Sequence, residues 1–102
     1  MGRLITDGVT NWLAVQEKKK APSTYRIYKS KSKHVTGHWP RRRITDISKS
    51  EIELFQAGLL QKGLSPKSVN DIFTIVRGVW SAAFDDGVIR TNPLDRIPNN
   101  RS

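Results

Sequence analysis

Between Ser65 and Gly87 runs an apolar stripe that only one backbone geometry can collect onto one side. Val69, Ile72, Phe73, Val76, Trp80, Ala83 and Phe84 follow the i, i+3, i+4 spacing of an α-helix. In a strand the same residues would scatter over both faces. Helix punctuation bounds the stripe: Ser65 stands at the N-cap, Pro66 in the first turn, and Gly87 after Asp85 and Asp86 as the stop. A face this apolar needs cover, which the rest of the chain must supply.

Three further segments have the right pattern to supply it. Residues 6–19 form a helix whose apolar side holds Ile5, Val9, Trp12 and Leu13 and whose end carries Lys18, Lys19 and Lys20, cations that suit a helix C-terminus. Residues 23–36 form a second, with Ser23 or Thr24 as N-cap after Pro22 and Gly37 as the stop. Tyr25, Tyr28, Ser32 and Val35 share one side of it, and Arg26, Lys29 and Lys33 share another. Residues 49–62 form a third, opened by a Ser48/Glu51 capping box and closed by Gly63, with Ile52, Phe55, Leu59 and Leu60 facing inward. Val88 and Ile89 read as a short extended piece, and Asn92-Pro93 as a turn. With 102 residues and short loops, the expectation is one all-α domain, an orthogonal four-helix bundle of two helical hairpins.

Charge sets the function class. Lys18, Lys19, Lys20, Arg26, Lys29, Lys31, Lys33, Arg41, Arg42 and Arg43 fall within one acid-free stretch, while the remaining eight basic residues share the chain with all nine acidic ones. One segment therefore carries the whole net charge of +9, which points to a polyanion, nucleic acid before an anionic membrane or an acidic protein. The second helix has the weakest apolar face of the four, so its cations are available to a partner. Arg26 suits a phosphate or the O6/N7 edge of guanine. Lys67 sits in a first turn, where the helix dipole disfavours a cation unless an anion neutralises it. Arg41, Arg42 and Arg43 fit a phosphate or minor-groove contact, against a solvated flank of the domain. Lys18 to Lys20 divide evenly between a DNA contact and support of their own helix, and Arg77 either extends the contact or is plain surface.

Other chemistries find little support. The chain has no cysteine, which removes disulfides and thiolate metal sites and fits a reducing compartment. No apolar run is long enough to span a membrane, and no signal core opens the chain. His34 and His38 have zinc-ligand spacing but no third ligand, and Gly37 is expected to end the helix between them. Tyr25 and Tyr28 have packing spacing and no Arg/His set beside them, so neither reads as a nucleophile. Trp12, Trp39 and Trp80 read as core, and Asp85-Asp86 as an exposed helix end. The glycines are isolated and form no phosphate-cradling loop, and no cofactor is implied.

The order of these signals resembles a known family. A first helix with Trp12 at its centre precedes Pro22-Ser23-Thr24-Tyr25, then Gly37 and Pro40, then Ile44-Thr45-Asp46-Ile47. Gly63-Leu64-Ser65-Pro66-Lys67-Ser68-Val69-Asn70 and Asp86-Gly87-Val88-Ile89-Arg90-Thr91-Asn92-Pro93-Leu94 are the most specific pieces. The set, spread from Ile5 to Ile97, is similar to the core-binding, SAM-like domain of phage-type integrases and other tyrosine recombinases. The resemblance implies double-stranded DNA as partner, with the second and fourth helices presenting their starts to the major groove. On this chain those positions are Ser23, Thr24, Arg26 and Lys29, and Ser65, Lys67, Ser68, Asn70 and Asp71. It also implies a division into a core-binding domain over residues 1–94 and a linker over 95–102, leading to a catalytic domain that supplies the tyrosine nucleophile and its Arg/His/Lys set. The expected role is DNA binding in site-specific recombination in a bacterial cytoplasm, by a non-catalytic, monomeric piece whose parent oligomerises on DNA. The alternatives are a SAM-like protein-interaction module and a stand-alone DNA-binding regulator; ten cations without one acid argue against the former.

Overall fold

The central element is the helix that the apolar stripe predicts. In the computed structural model, which describes residues 3–92 and Leu94, four α-helices follow one another: α1 (Ile5–Lys19), α2 (Pro22–His38), α3 (Lys49–Gln61) and α4 (Pro66–Asp85). A single 3₁₀ turn, Ile44–Asp46, precedes α3. The fold is all-α, with α1 and α2 paired as one hairpin, α3 and α4 as the other, and α4 packed against all three remaining helices. That position explains why α4 buries Ile75 and Val79 in addition to the predicted stripe.

The ends of the helices follow local chemistry, with two departures. Ser48 accepts the Glu51 N–H while Glu51 accepts the Ser48 N–H, completing the expected capping box. Gly63 and Gly87 take φ of +89° and +76° and close α3 and α4. At each, the next residue bonds back to the third-last helical carbonyl, Leu64 to Leu59 and Val88 to Ala83. α2, however, begins at Pro22 with Ala21 as N-cap, so neither Ser23 nor Thr24 caps it. Proline's fixed φ starts the helix there, and its missing N–H falls where no intrahelical partner exists. Nor does Gly37 stop α2, which continues through His38 and donates the Trp39 N–H to the Val35 carbonyl at 3.1 Å. These two further helical residues deliver Trp39 into the core.

That core is tied together by rings. Trp39 lies 4.7 Å from Phe55 and 6.0 Å from Trp80, and Phe55 stacks on Phe73 at 5.9 Å, joining the end of α2 to α3 and α4. Trp80 is wholly buried, and its indole N–H has no hydrogen-bond partner among the described residues. Two residues expected inside are not: Leu60 is 41% and Phe84 46% exposed. Each lies about 100° around its helix from the buried residue before it, Leu59 or Ala83, at the edge of the packed face.

Two close approaches seat the first hairpin on α4. A Cβ at Gly78 would lie inside the Trp12 indole, and one at Gly8 would stand 2.8 Å from Val79 Cγ1. Trp12 in turn packs edge-on against Tyr28, with ring centroids 5.2 Å apart. The segment before α1 is pinned by an isolated antiparallel bridge between Leu4 and Arg43. There the Ile44 N–H donates to the Arg3 carbonyl at 2.8 Å, and the Ile5 N–H to the Arg42 carbonyl at 2.9 Å.

Candidate nucleic-acid interface

α2 needs little of its surface for the core, burying only Ser32 and Val35 completely. The rest of its circumference is a polar arc. At about 100° per residue, Lys29, Lys33 and Arg26 occupy one edge of that arc and Lys31 the other. All but the half-buried Lys31 are exposed. Ser23, exposed one turn before Arg26 and Ile27, lies between the edges, and Thr24 is half-buried.

Lys31 connects the arc to α4. Its ammonium donates to the Ser68 hydroxyl at 3.4 Å, and Ser68 belongs to the first turn of α4. Ser65 caps that turn by accepting the Ser68 N–H at 3.2 Å, and the Ser65 hydroxyl donates to the Ser68 hydroxyl at 3.2 Å. A positive side chain is thus held at the positive end of a helix. Exposed Lys67 stands in the same turn. Lys62, just past α3, adds to the field: burial first, and then the ammonium groups of Lys31 and Lys62, hold His34 below the ordinary histidine range. Burial and Lys62 lower His38 as well, against the opposing pull of Glu51. Lys31 and Lys62 therefore both act on His34, and Lys62 and Glu51 act in opposite senses on His38.

The basic run of the sequence does not fold into one patch. α1 and α2 are antiparallel, so Lys18, Lys19 and Lys20 lie at one end of the hairpin and Arg41, Arg42 and Arg43 at the other, a helix length of ~25 Å away by the rise of 1.5 Å per residue. Arg41 and Arg43 are exposed, and half-buried Arg42 is tied to α3 and its approach. Its guanidinium donates to both carboxylate oxygens of Glu51, at 2.8 and 3.0 Å, and to the Asp46 carbonyl at 2.8 Å. The hydrogen bond to Glu51 raises Arg42 above its ordinary range and, in reverse, holds the Glu51 carboxyl low. Arg77 lies half-buried with its guanidinium carbon 5.8 Å from the centre of the Phe73 ring, and burial lowers its pKa. It sits about 180° around α4 from Ser68, off the face that meets Lys31. Asn70 and Asp71 are half-buried in the second turn of α4, and the Asn70 carbonyl accepts the Thr74 hydroxyl at 2.9 Å.

The structure thus gathers Ser23, Arg26, Lys29, Lys33, Ser65, Lys67 and Ser68 around α2 and the start of α4, and sets Arg41, Arg42, Arg43 and Arg77 apart. It also adds Lys31 and Lys62, which helical spacing alone did not single out. Lys31 lies next to the buried side of α2, and only the arrival of α4 there gives it a role. His34 and His38 lie on one uninterrupted helix, since Gly37 does not end α2. Among the described residues no three His, Asp or Glu side chains cluster as metal ligands, and no helix is long and apolar enough to cross a membrane. Tyr25 and Tyr28 are half-buried, Tyr28 against Trp12.

Residues 6–101 match the phage integrase SAM-like domain family. The chain belongs to this family. This SAM-like domain is also 30% identical over 90 residues to the ICEBs1 integrase of Bacillus subtilis (strain 168), an alignment that covers 87% of the chain and 24% of that integrase. The chain thus spans about a quarter of the length of the curated relative it matches. No solved structure matches the SAM-like domain significantly. The predicted linker, residues 95–102, lies outside the described residues.

Proposed function

We propose that this domain grips duplex DNA on behalf of a tyrosine recombinase that integrates or excises a mobile element. The observation that carries the proposal is the joining of Lys31 to Ser68, which sets the cationic arc of α2 against the start of α4. A helix start offers unpaired N–H groups and a partial positive charge to a phosphate. The flanking lysines and Arg26 add charges that counterions must otherwise neutralise. Ser23, Thr24, Ser65, Ser68, Asn70 and Asp71 sit where the same helices meet the groove, while Arg41 and Arg43 extend the contact to backbone outside it and Arg77, beside the Phe73 ring on another side of α4, takes no part. Arg42 serves mainly to fix the loop that carries its neighbours.

Strand cleavage and rejoining fall to a catalytic domain of the same parent chain, joined through residues 95–102. The support is the much greater length of the ICEBs1 integrase and the packing role of Tyr28. The domain alone is a monomer that binds without cutting. The parent works in the bacterial cytoplasm and oligomerises on DNA.

The test is duplex binding by fluorescence anisotropy across a salt series. With six to eight phosphates neutralised, log K falls against log salt with a slope of roughly −5 to −7. A combined Arg26→Ala, Lys67→Ala variant keeps its fold and loses most of its affinity. A salt-independent interaction, or backbone amide shifts confined to the Trp39 region on DNA titration with none near Thr24 or Lys67, would refute the reading.

A further inference from the structure

The middle of the α2 arc differs chemically from its edges. The cations stand at the two sides, with Arg26, Lys29 and Lys33 on one and Lys31 on the other. Ser23, Ile27 and Ser30 run between them. These three line a shallow depression of about 400 Å³, with Arg26 and Lys31 at its margins. Ile27 is 49% exposed and belongs to no buried cluster. Among the described residues it is the large exposed hydrophobic that α2 carries, set between the cations Arg26 and Lys31.

A helix about 10–12 Å across, with positive side chains along both edges, matches a major groove about 12 Å wide whose walls are phosphate and whose floor is base edges. The cations then face the phosphates, and the central strip faces the bases. On that floor most groups are hydrogen-bond donors and acceptors, which serine hydroxyls can meet from either side. The apolar group exposed there is the 5-methyl of thymine, and an aliphatic side chain is its complement.

Building on the DNA-binding reading above, we propose that Ile27 is a specificity residue that packs on a thymine methyl in the major groove, flanked by Ser23 and Ser30. It discriminates thymine from cytosine at one position of the site by apolar contact. The cations at the arc's edges hold the duplex without regard to sequence. Ile27 itself contributes no charge, so its removal leaves the electrostatic part of binding intact.

The experiment starts from a pool of duplexes with a randomised centre, from which the domain selects its preferred sequence. Each thymine of that sequence is then replaced in turn by deoxyuridine, which removes the methyl and keeps every hydrogen-bonding group. Losing one buried methyl predicts about a fourfold loss of affinity at one position. Ile27→Ala binds the thymine duplex more weakly by at least that factor, does not distinguish thymine from deoxyuridine, and keeps the salt slope of the unaltered domain. Its far-ultraviolet circular dichroism and melting temperature establish that it folds, and the deoxyuridine series on the unaltered domain is decisive even if it does not. Selection without sequence preference, indifference to deoxyuridine at every thymine, or retained discrimination in Ile27→Ala each overturns the assignment. Loss of duplex binding altogether, at every salt concentration, overturns the DNA-binding reading with it; salt-dependent binding that ignores the methyl overturns the role of Ile27 alone.

Discussion

Gly78→Ala adds one methyl where α4 meets α1, and the structure gives that methyl no room. Its Cβ would fall within the indole of Trp12, with Nε1, Cε2 and Cδ1 the nearest atoms. Trp12 cannot simply swing aside, because its ring is packed edge-on against Tyr28 of α2. Either the indole leaves Tyr28 or α1 separates from α4. Overpacking of this kind costs about 1–3 kcal/mol, and better helix propensity returns about 1 kcal/mol of that. The net loss is then about 0–2 kcal/mol, or a fall in melting temperature of up to about 15 °C for a domain of this size. Thermal and urea unfolding followed by circular dichroism measure it. A Trp12→Ala background provides the control: with the indole gone, Gly78→Ala becomes neutral or stabilising by up to ~1 kcal/mol. If Gly78→Ala stabilises the otherwise unaltered chain as much as it does the Trp12→Ala background, the close seating of the first hairpin on α4 is refuted.

Leu59→Ala is expected to lose about 2–5 kcal/mol because the side chain is enclosed, whereas Leu60→Ala, at the exposed edge of the same helix, loses under ~1 kcal/mol; urea midpoints of the two variants distinguish them. Ser48→Ala removes the acceptor for the Glu51 N–H and the anchor of the capping box, with a loss of about 1 kcal/mol of stability. Stability also falls on mild acidification. Burial, followed by Lys31 and Lys62 at His34, holds both histidines below 6.5, so the unfolded chain takes up protons first as the pH drops through that value. The histidine contribution is whole above the unfolded value and is lost as pH falls through the lower folded one; Glu51, held low by Arg42, adds a second loss of the same sign beneath 4.5. Urea titrations near neutrality and at about pH 5 show a lower midpoint at the acid pH, and an unchanged or higher midpoint contradicts the partial burial of His34 and the repulsion of both histidines by Lys62.

Much of this arrangement was legible in local sequence. The stripe from Val69 to Ala83 needs no partner to announce a helix, because its spacing is a property of the backbone. The Ser48/Glu51 box, the Ser65 cap and the stops at Gly63 and Gly87 are satisfied by atoms within a few residues, so neighbouring letters suffice. Tertiary packing decided against local preference at Gly37, where burying Trp39 outweighs the cost of a glycine inside a helix; at Ser23 and Thr24 the deciding feature is itself local, since Pro22 has already begun the turn. It also ranked Leu60 and Phe84 outside, since hydrophobicity does not say where a neighbouring helix stops.

The candidate site divides in the same way. The sequence by itself determined that the chain is helical, that its charge is concentrated in one acid-free stretch, and that α2 is its least apolar helix, for each of these is a sum or a periodicity along the chain. Only the tertiary structure decided which of those charges act together. Folding back at Lys20 and Ala21 sends Lys18 to Lys20 and Arg41 to Arg43 to opposite ends of a hairpin. Pairing with Glu51 ties Arg42 to the start of α3, and the packing of α4 on α2 places Ser68 beside Lys31, 37 residues away. Electrostatic interactions depend on distance in space and on what else a group is bonded to. Neither can be counted along the chain; both are set by which helices pack together.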